Sequence, residues 1–411
     1  MPPLLSSVSP RQPTLRRPRT PAGKRAPAVV LGRSVTALGA ARCLGRHGVD
    51  VLLVAPRGDY AGLSRWARRV DGPAESEDPA PLAAFLRELT ADRVLVVPCS
   101  DRWASAAAGL PADVRERAPV PVPDAAVLDR LLGKRSLAAT LAEAGVPGPR
   151  TYEVAGPGDL DALGLGDDEL RGWFLKPVDS QAFSTRFGLK AFAVGSRGEA
   201  VDALRRAAAA DIAVLLQERV PGPPTAHVFV DGYVAQDGRT LARFARRRIR
   251  MYPPDFGNST FHVSVPLDEV PGPVASLDRL LDHVGYRGIF SAEFKVDERD
   301  GEAKLLEVNV RPWWYVEFAA LCGVDVLALA YDERIDGRAE PVADYATGRR
   351  SVFPTADLRA LAAAHGRVPI RPLLRSWPGA SLTVFEARDP LPAAGQAAEL
   401  LLRPLRAAVA R

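Results

Sequence analysis

Glu293, Glu307 and Asn309 are the residues of this chain whose types and spacing can do chemistry together. They lie in FSAEFKVDERDGEAKLLEVNVR, residues 290 to 311, which reads as two apolar-rich strands joined by an Asp-Gly turn. Strand side chains alternate faces, so Glu307, Asn309 and Arg311 point the same way. A hairpin folded about Asp300 sets Glu293 directly opposite Glu307. Two carboxylates and a carboxamide then meet on one patch, with a guanidinium at its edge. Like charges that close raise each other's pKa unless a cation lies between them. Hard oxygen ligands of this kind suit Mg²⁺, which takes one or two carboxylates together with substrate phosphates. A solvated acidic hairpin would carry the same residues, so the rest of the chain has to decide.

The lysines bear on that decision. Of 54 basic residues only six are lysine, namely Lys24, Lys134, Lys176, Lys190, Lys295 and Lys304. Where arginine serves as the generic cation, a retained lysine is enriched for sites that need a compact ammonium rather than a planar fork. Lys134 opens the helical pattern KRSLAATLAEAGVP, and Lys176 ends the apolar run WFLKPV, where a strand would deliver its ammonium to a site. Lys304 is expected on the exposed face of the hairpin, and Lys24 belongs to a tail.

Lys134, Lys176-Pro177, Leu216-Gln217-Glu218-Arg219-Val220, Glu293 and Glu307-x-Asn309-x-Arg311 resemble, in order and spacing, the motifs of ATP-grasp ligases. The resemblance spans roughly residues 28 to 330 and is nearest to bacterial carboxylate–amine ligases of the biotin carboxylase and carbamoyl-phosphate synthetase type. It implies an α/β and α+β protein, with a Rossmann-like domain ahead of a two-lobed ATP-grasp domain that carries a small lid. It implies ATP and Mg²⁺, with Mn²⁺ as an acceptable substitute. Lys134 and Lys176 would contact phosphates, and Gln217, Glu218 and Val220 would form the adenine hinge, with the Val220 amide donating to a ring nitrogen. Glu293, Glu307 and Asn309 would hold the metal, and Arg311 would neutralise the transferring phosphoryl group. Electrostatic stabilisation of that kind supplies most of the catalysis in phosphoryl transfer and needs no side-chain nucleophile.

The chain departs from the family in three places. The loop VDSQAFSTRFGLK after Lys176 holds one glycine, Gly188, so Ser180, Ser184 and backbone amides would have to cover the phosphates. The acid often found on the ribose is missing, with Thr225 or His227 in its neighbourhood. Tyr315 stands where biotin carboxylase has a glutamate base, which argues against bicarbonate activation.

Composition sets the frame. At 411 residues, 47% hydrophobic and 25% charged, the chain fits two or three ordinary globular domains. No apolar run reaches the ~20 residues that span a bilayer, and the N-terminus lacks a secretory signal, so membrane insertion is not expected and a cytoplasmic location is. Cys43, Cys99 and Cys322 read as reduced core thiols, and five histidines without an i, i+4 pair argue against zinc. The net charge of +5 is a property of residues 1 to 27, a Pro/Arg-rich stretch read as a disordered tail with five arginines, one lysine and no acid. The remainder is near −1, which gives no reason to expect a nucleic-acid partner. Small-molecule or peptide carboxylates and amines are the expected partners, and a homodimer is compatible with the chain.

Residues 28 to 123 open with a strand, a turn, a helix and a second apolar strand, a βαβ start to a parallel sheet. The turn GRSVTALG puts Ser34 where a dinucleotide-binding turn needs glycine, and the nearest acid, Asp59, sits in a Gly-Tyr loop. The domain is therefore read as nucleotide-free, its turn serving instead to line an acceptor site. Asp101 is expected to cap the helix that follows the strand ending at Pro98. Residues 124 to 345 would form the ATP-grasp domain, with the lid at about 173 to 216, and residues 346 to 411 a helical extension. Within RFARRRIRMYPPDFGNSTF, Arg246, Arg248 and Arg250 share one strand face. Arg250 is the candidate for a substrate carboxylate, against the alternative of a solvated edge strand kept monomeric by charge. Trp313, Trp314 and Tyr315 either pack the end of the last strand or wall the site, and the amphipathic stretch from Ala393 to Ala410 is expected to pack on the core.

The reading that unites these features is a ligase joining a carboxylate to an amine through an acyl phosphate. Two alternatives stay open: a non-catalytic ATP- or ADP-binding regulator with the same fold, and an oxidoreductase using the first βαβ.

Overall fold

The computed structural model describes residues 25–178, 180–253, 257–365 and 370–409, which arrange as three sheets. Residues 1 to 24, with Lys24 and most of the expected tail, lie outside the described residues. The last three residues of the expected tail, Arg25 to Pro27, are described and belong to the fold. Arg25 pairs with Asp332 at 3.1 Å and Asp336 at 2.8 Å and lies over the Tyr331 ring, whose hydroxyl donates to the Ala26 carbonyl.

The first sheet is parallel, in the order β3-β2-β1-β4, from β1 (Ala28–Leu31), β2 (Val51–Val54), β3 (Arg68–Val70) and β4 (Leu95–Pro98). β1 and β4 are buried throughout, as strands covered on both faces must be, and read as unbroken apolar runs for that reason. The strand order reverses between β1 and β4. Ser34, at φ 60°, opens the helix Ser34–Arg46, and its amide donates to both Asp59 oxygens, at 3.0 and 3.1 Å. Asp59 thus fills with its own carboxylate the helix start where a dinucleotide would need a pyrophosphate, which removes the physical basis for the oxidoreductase alternative.

The second sheet is small and antiparallel, in the order β5-β8-β6-β7, from β5 (Thr151–Val154), β6 (Trp173–Pro177), β7 (Phe192–Val194) and β8 (Val214–Gln217). β5 extends this lobe upstream of residue 173. The segment after Lys176, read as a loop, is helical over Ser180–Phe187. The Ser180 side chain lies outside the described residues. This lobe has its own apolar core, built on Trp173, Leu175, Phe183, Phe192 and Leu216.

The third sheet has seven strands, in the order β13-β12-β9-β10-β11-β14-β15. Its strands are β9 (His227–Val234), β10 (Thr240–Tyr252), β11 (Asn258–Val265), β12 (Gly288–Val296), β13 (Ala303–Asn309), β14 (Arg350–Val352) and β15 (Ser381–Leu382). The C-terminal stretch, read as helical, supplies β14 and β15, which are too short to show a strand period in sequence. Two apolar cores run without a break from the first sheet into this one, so the two form one body. The C-terminal segment is clamped to it by Arg42, 1% exposed, which donates to Asp389 at 2.9 Å and to the Val384 carbonyl at 2.9 Å. The last helix, Leu391–Val409, packs through Gly395 against Tyr60 and Leu63, while Leu401 stays exposed.

Candidate active site

The hairpin of β12 and β13 sets Glu293 opposite Glu307 and Ser291 opposite Asn309. The turn runs from Asp297 to Glu302, closed by Asp297 N–H to the Glu302 carbonyl at 2.9 Å. A bulge lies just below the pair: Phe294 faces Leu305, so Leu306 is the extra residue. Folding about Asp300 gives the right register at the two glutamates because of that bulge, and is one residue out nearer the turn.

Directly opposed residues of antiparallel strands share a face, and the register extends the patch across the sheet. Glu307, Glu293, Phe229, Arg246 and Ser264 form one transverse row, and Asn309, Ser291, Asp231 and Phe244 the next. Arg246, Arg248 and Arg250 do line up, but each guanidinium is committed to an acid. Arg246 pairs with Asp231 at 2.8 Å, both fully buried. Arg248 donates to Glu293 at 2.9 Å and to the Ser259 hydroxyl at 2.9 Å. Arg250 forks onto Asp357 at 2.8 and 2.6 Å, and Asp357 also accepts from Thr260 and Trp377. Arg250 is thereby tied to the C-terminal segment.

Glu293 accepts from His227 Nδ1 at 2.7 Å and from Arg248 at 2.9 Å, both on Oε1. Burial alone would raise its carboxyl, but Arg248 and then His227 bring it down to about 2. Glu307 is displaced upward, first by burial among protein groups, then by Glu293 and Asp101. Its side chain still reaches solvent. Across from the pair, Lys176 on β6 is pushed below the usual lysine value by burial; the Glu307 carboxylate opposes that shift and Lys134 adds to it. Lys134 begins the helix Lys134–Glu143, with Nζ 3.5 Å from the Val178 carbonyl. The preceding helix, Ala125–Leu132, is capped by Asp124, whose side chain accepts from the Val127 amide. The structure therefore brings Lys134, Glu293 and Glu307 within electrostatic reach of Lys176.

The hinge segment leaves β8 at Gln217, whose amide donates to Thr151 Oγ1 at 2.9 Å. The Glu218 side chain is buried among cations: Arg150 at 2.9 Å, Arg299 at 3.4 Å and Lys304 at 3.4 Å. Burial works to raise its carboxyl, yet the Arg150 amide and guanidinium hold it below the usual value. Lys304, expected on an exposed face, also pairs with buried Asp297 at 2.8 Å. The hairpin turn is thus bolted to the hinge through the Glu218 side chain, so Glu218 could meet a ligand there through its backbone rather than its carboxylate. Val220 is buried.

Asp101 does not cap its helix. Ser100 does, accepting from the Trp103 amide, and Asp101 instead forks onto Arg311 at 2.7 and 3.2 Å. Trp313 and Tyr315 are buried, the Tyr315 hydroxyl donating to the Ser259 carbonyl, while Trp314 is exposed. The roles of Arg248, His227 and Asp101 were not legible in the sequence. The arginine row was visible, but its acid partners lie on two other strands and a C-terminal helix.

No group of three His, Cys, Asp or Glu side chains among the described residues could hold a metal ion. The hard-oxygen set here is two carboxylates and the Asn309 amide, and Glu293 Oε2 accepts from neither Arg248 nor His227. Two directly opposed carboxylates with a carboxamide one pair further along are hard oxygen donors of the kind Mg²⁺ takes, so the residues present fit it.

No family model matches the chain. A D-aspartate ligase from Enterococcus faecium (strain Aus0004) is 24% identical over 338 residues, 78% of this chain and 79% of the relative. The L-amino acid ligase of Bacillus licheniformis superposes with a TM-score of 0.55 at 16% identity, over 78% of this chain and 79% of that one. The N5-carboxyaminoimidazole synthetase of Staphylococcus aureus, solved with ADP, gives 0.57 at 12% identity, over 79% and 80%. This is an ATP-grasp fold. In this fold the second lobe has its own core, and its Lys176 lies within electrostatic reach of Glu293 and Glu307 on the large sheet. No helix among the described residues is long and apolar enough to cross a membrane.

Proposed function

We propose that this protein is an ATP- and Mg²⁺-dependent ligase that joins a carboxylate to an amine and releases ADP and phosphate. The observation that carries the reading is the directly opposed pair Glu293 and Glu307 in electrostatic reach of Lys176, with Lys134 from another part of the fold beside that lysine. Lys176 and Lys134 would hold the nucleotide's phosphates, and the backbone of Glu218 and Val220 its base. Glu293 Oε2, Glu307 and Asn309 would hold Mg²⁺, which would supply charge neutralisation for the nucleotide's phosphates. Arg311, whose guanidinium is held by Asp101, would lend its charge to the transferring phosphoryl group from beside it.

The substrate carboxylate takes the γ-phosphoryl group to give an acyl phosphate and ADP. The ammonium of the second substrate sheds a proton, its nitrogen forms the C–N bond, and the C–O bond to phosphate breaks. A second proton leaves with the products. Holding both partners beside the phosphates replaces a bimolecular encounter by a local one. The lid's separate core lets it close on the body as a unit and keep water from the acyl phosphate. Residues 28 to 123 would serve as the domain preceding the grasp, 124 to 345 as the grasp and 346 to 411 as its C-terminal support, in a cytoplasmic enzyme acting on small molecules or peptides.

The relative's name makes D-aspartate the first carboxylate to test. ADP release should require both an acid and an amine, drawn from a panel of D- and L-amino acids and short peptides. Release that needs neither, or turnover at the wild-type rate by the Glu307→Ala, Asn309→Ala double variant, would refute the reading.

A further inference from the structure

Asp101 lies where two independent arguments place a substrate. In an open parallel sheet, ligands bind outside the carboxyl ends of the strands, at the point where strand order reverses. Here that point is between β1 and β4. Immediately beyond those strand ends, Gly32 and Cys99 are in close contact, a Cβ on Gly32 falling 2.8 Å from the Cys99 Cβ. Asp101 comes two residues later, at the first position of its helix, with a side chain 52% exposed.

The second argument comes from the other domain. Asp101 is forked by Arg311, the last residue of the Glu307-x-Asn309-x-Arg311 run, and its charge reaches Glu307. It is thus an acid of the first domain aimed at the reaction site of the second. The helix has Ser100 as its cap, so capping does not explain Asp101. Nor is a surface ion pair much of a stabilising device, at ~0–1 kcal/mol.

Other acids near the site already have work. Glu293 accepts from both Arg248 and His227, Asp231 is fully buried against Arg246, and Glu307 is taken up by the metal, whereas Asp101, though held by Arg311, keeps its side chain 52% exposed. A ligase that consumes an ammonium needs an anion to receive it beside the acyl phosphate. We infer that Asp101 is that anion: a specificity-determining residue that binds the ammonium of the amine substrate at the switch point of the first sheet, with Arg311 aiming its carboxylate. The inference rests on the ligase reading above and names which domain selects the amine and by what chemistry.

The test sets two nucleophiles of similar size against each other. Ammonium is a cation at neutral pH, whereas hydroxylamine is largely uncharged there and attacks acyl phosphates to give a hydroxamate. The full-length wild-type protein and Asp101→Asn are given ATP, Mg²⁺, D-aspartate or the acid found in the ADP-release panel, and both nucleophiles together. The amide-to-hydroxamate ratio is then measured. Asp101→Asn should lower that ratio by about tenfold or more, the size expected for losing a charge-assisted contact. Asp101→Glu should recover most of it, and guards against a variant that fails to fold. An unchanged ratio, with both products falling together, overturns the inference and leaves Asp101 as a latch between domains. Formation of neither product by the wild type overturns the ligase reading itself.

Discussion

Replacing Glu307 by glutamine should make the ligand-free protein more stable and remove its response to Mg²⁺. Glu307 and Glu293 stand directly opposite on adjacent antiparallel strands, where Cβ atoms lie about 5 Å apart. Unit charges at that separation repel by about 3 kcal/mol at an effective dielectric near 20, and by about 0.8 kcal/mol in water. Glu307 reaches solvent and Glu293 is already compensated by Arg248 and His227, so the low end applies, about 1 kcal/mol. At ~2–4 °C per kcal/mol, the midpoint of Glu307→Gln should rise by about 2 °C. Because Glu307 titrates above the usual value, the repulsion is present at neutral pH and relieved as pH falls through the raised value. The variant's advantage should therefore shrink on acidification. Mg²⁺ added to the ADP complex at ~100 times its dissociation constant should stabilise the wild type by about 2.7 kcal/mol and the variant far less. Scanning calorimetry with ADP, with and without Mg²⁺, measures both. A variant that melts below the wild type without metal, or keeps the full Mg²⁺ shift, refutes the placement of these carboxylates.

Lys176→Ala should weaken ADP binding by about 10- to 100-fold, the loss of one charge-assisted phosphate contact; unaltered affinity in calorimetric titration removes Lys176 from the nucleotide site. Arg250→Ala strands Asp357, which is 0% exposed, and should cost about 3–5 kcal/mol in a urea melt while leaving KM for the carboxylate within a few-fold. A large rise in KM at unchanged stability would instead mean that Arg250 reaches substrate. Asp297 is held well below the usual carboxylate value of 3.8, first by Arg299 and also by Lys304. Its stabilisation is present above the unfolded value and lost as pH falls through the folded one. Asp297→Asn should therefore lower the midpoint at neutral pH and flatten the loss of stability below about pH 4, and parallel acid melts of the two proteins would show otherwise. Asp59→Ala removes the acceptor for the Ser34 and Ala61 amides and should cost about 1 kcal/mol without creating a nicotinamide shift.

What could be read in the sequence was local. A hairpin announces itself through strand period and turn chemistry within a couple of dozen residues, so the opposition of Glu293 and Glu307 follows from residue order alone. The arginine row was equally plain, because alternation alone puts Arg246, Arg248 and Arg250 on one face. Its meaning was not. The acids that neutralise those guanidinia lie 15, 45 and 107 residues away, on β9, β12 and a C-terminal helix, and no local pattern links them. Asp101 illustrates the same limit at a helix start. Ser100 and Asp101 are both capping residues by type, and only the position of Arg311 decides which of them faces elsewhere. The segment after Lys176 looked like a loop by family likeness, yet Ser180–Phe187 carries Phe183 and Phe187 one helical turn apart, a spacing that buries Phe183 in the lid core.

The distribution of charge compensation itself points to the reaction centre. On the face of the large sheet, Arg246 is neutralised by Asp231, Arg248 by Glu293 and Arg250 by Asp357, and at the domain boundary Arg311 by Asp101. Buried charges are expected to be paired in this way, since a lone ion out of water is expensive. Glu307 and Lys176 break the pattern. The carboxyl is displaced upward and the ammonium downward, each away from its charged form, although each is near enough to the other to oppose the shift. On the function proposed above, a divalent cation would neutralise the first and a polyphosphate would neighbour the second, so one Mg²⁺–nucleotide complex would engage both. Opposite perturbations on facing groups are the pattern expected of functional sites.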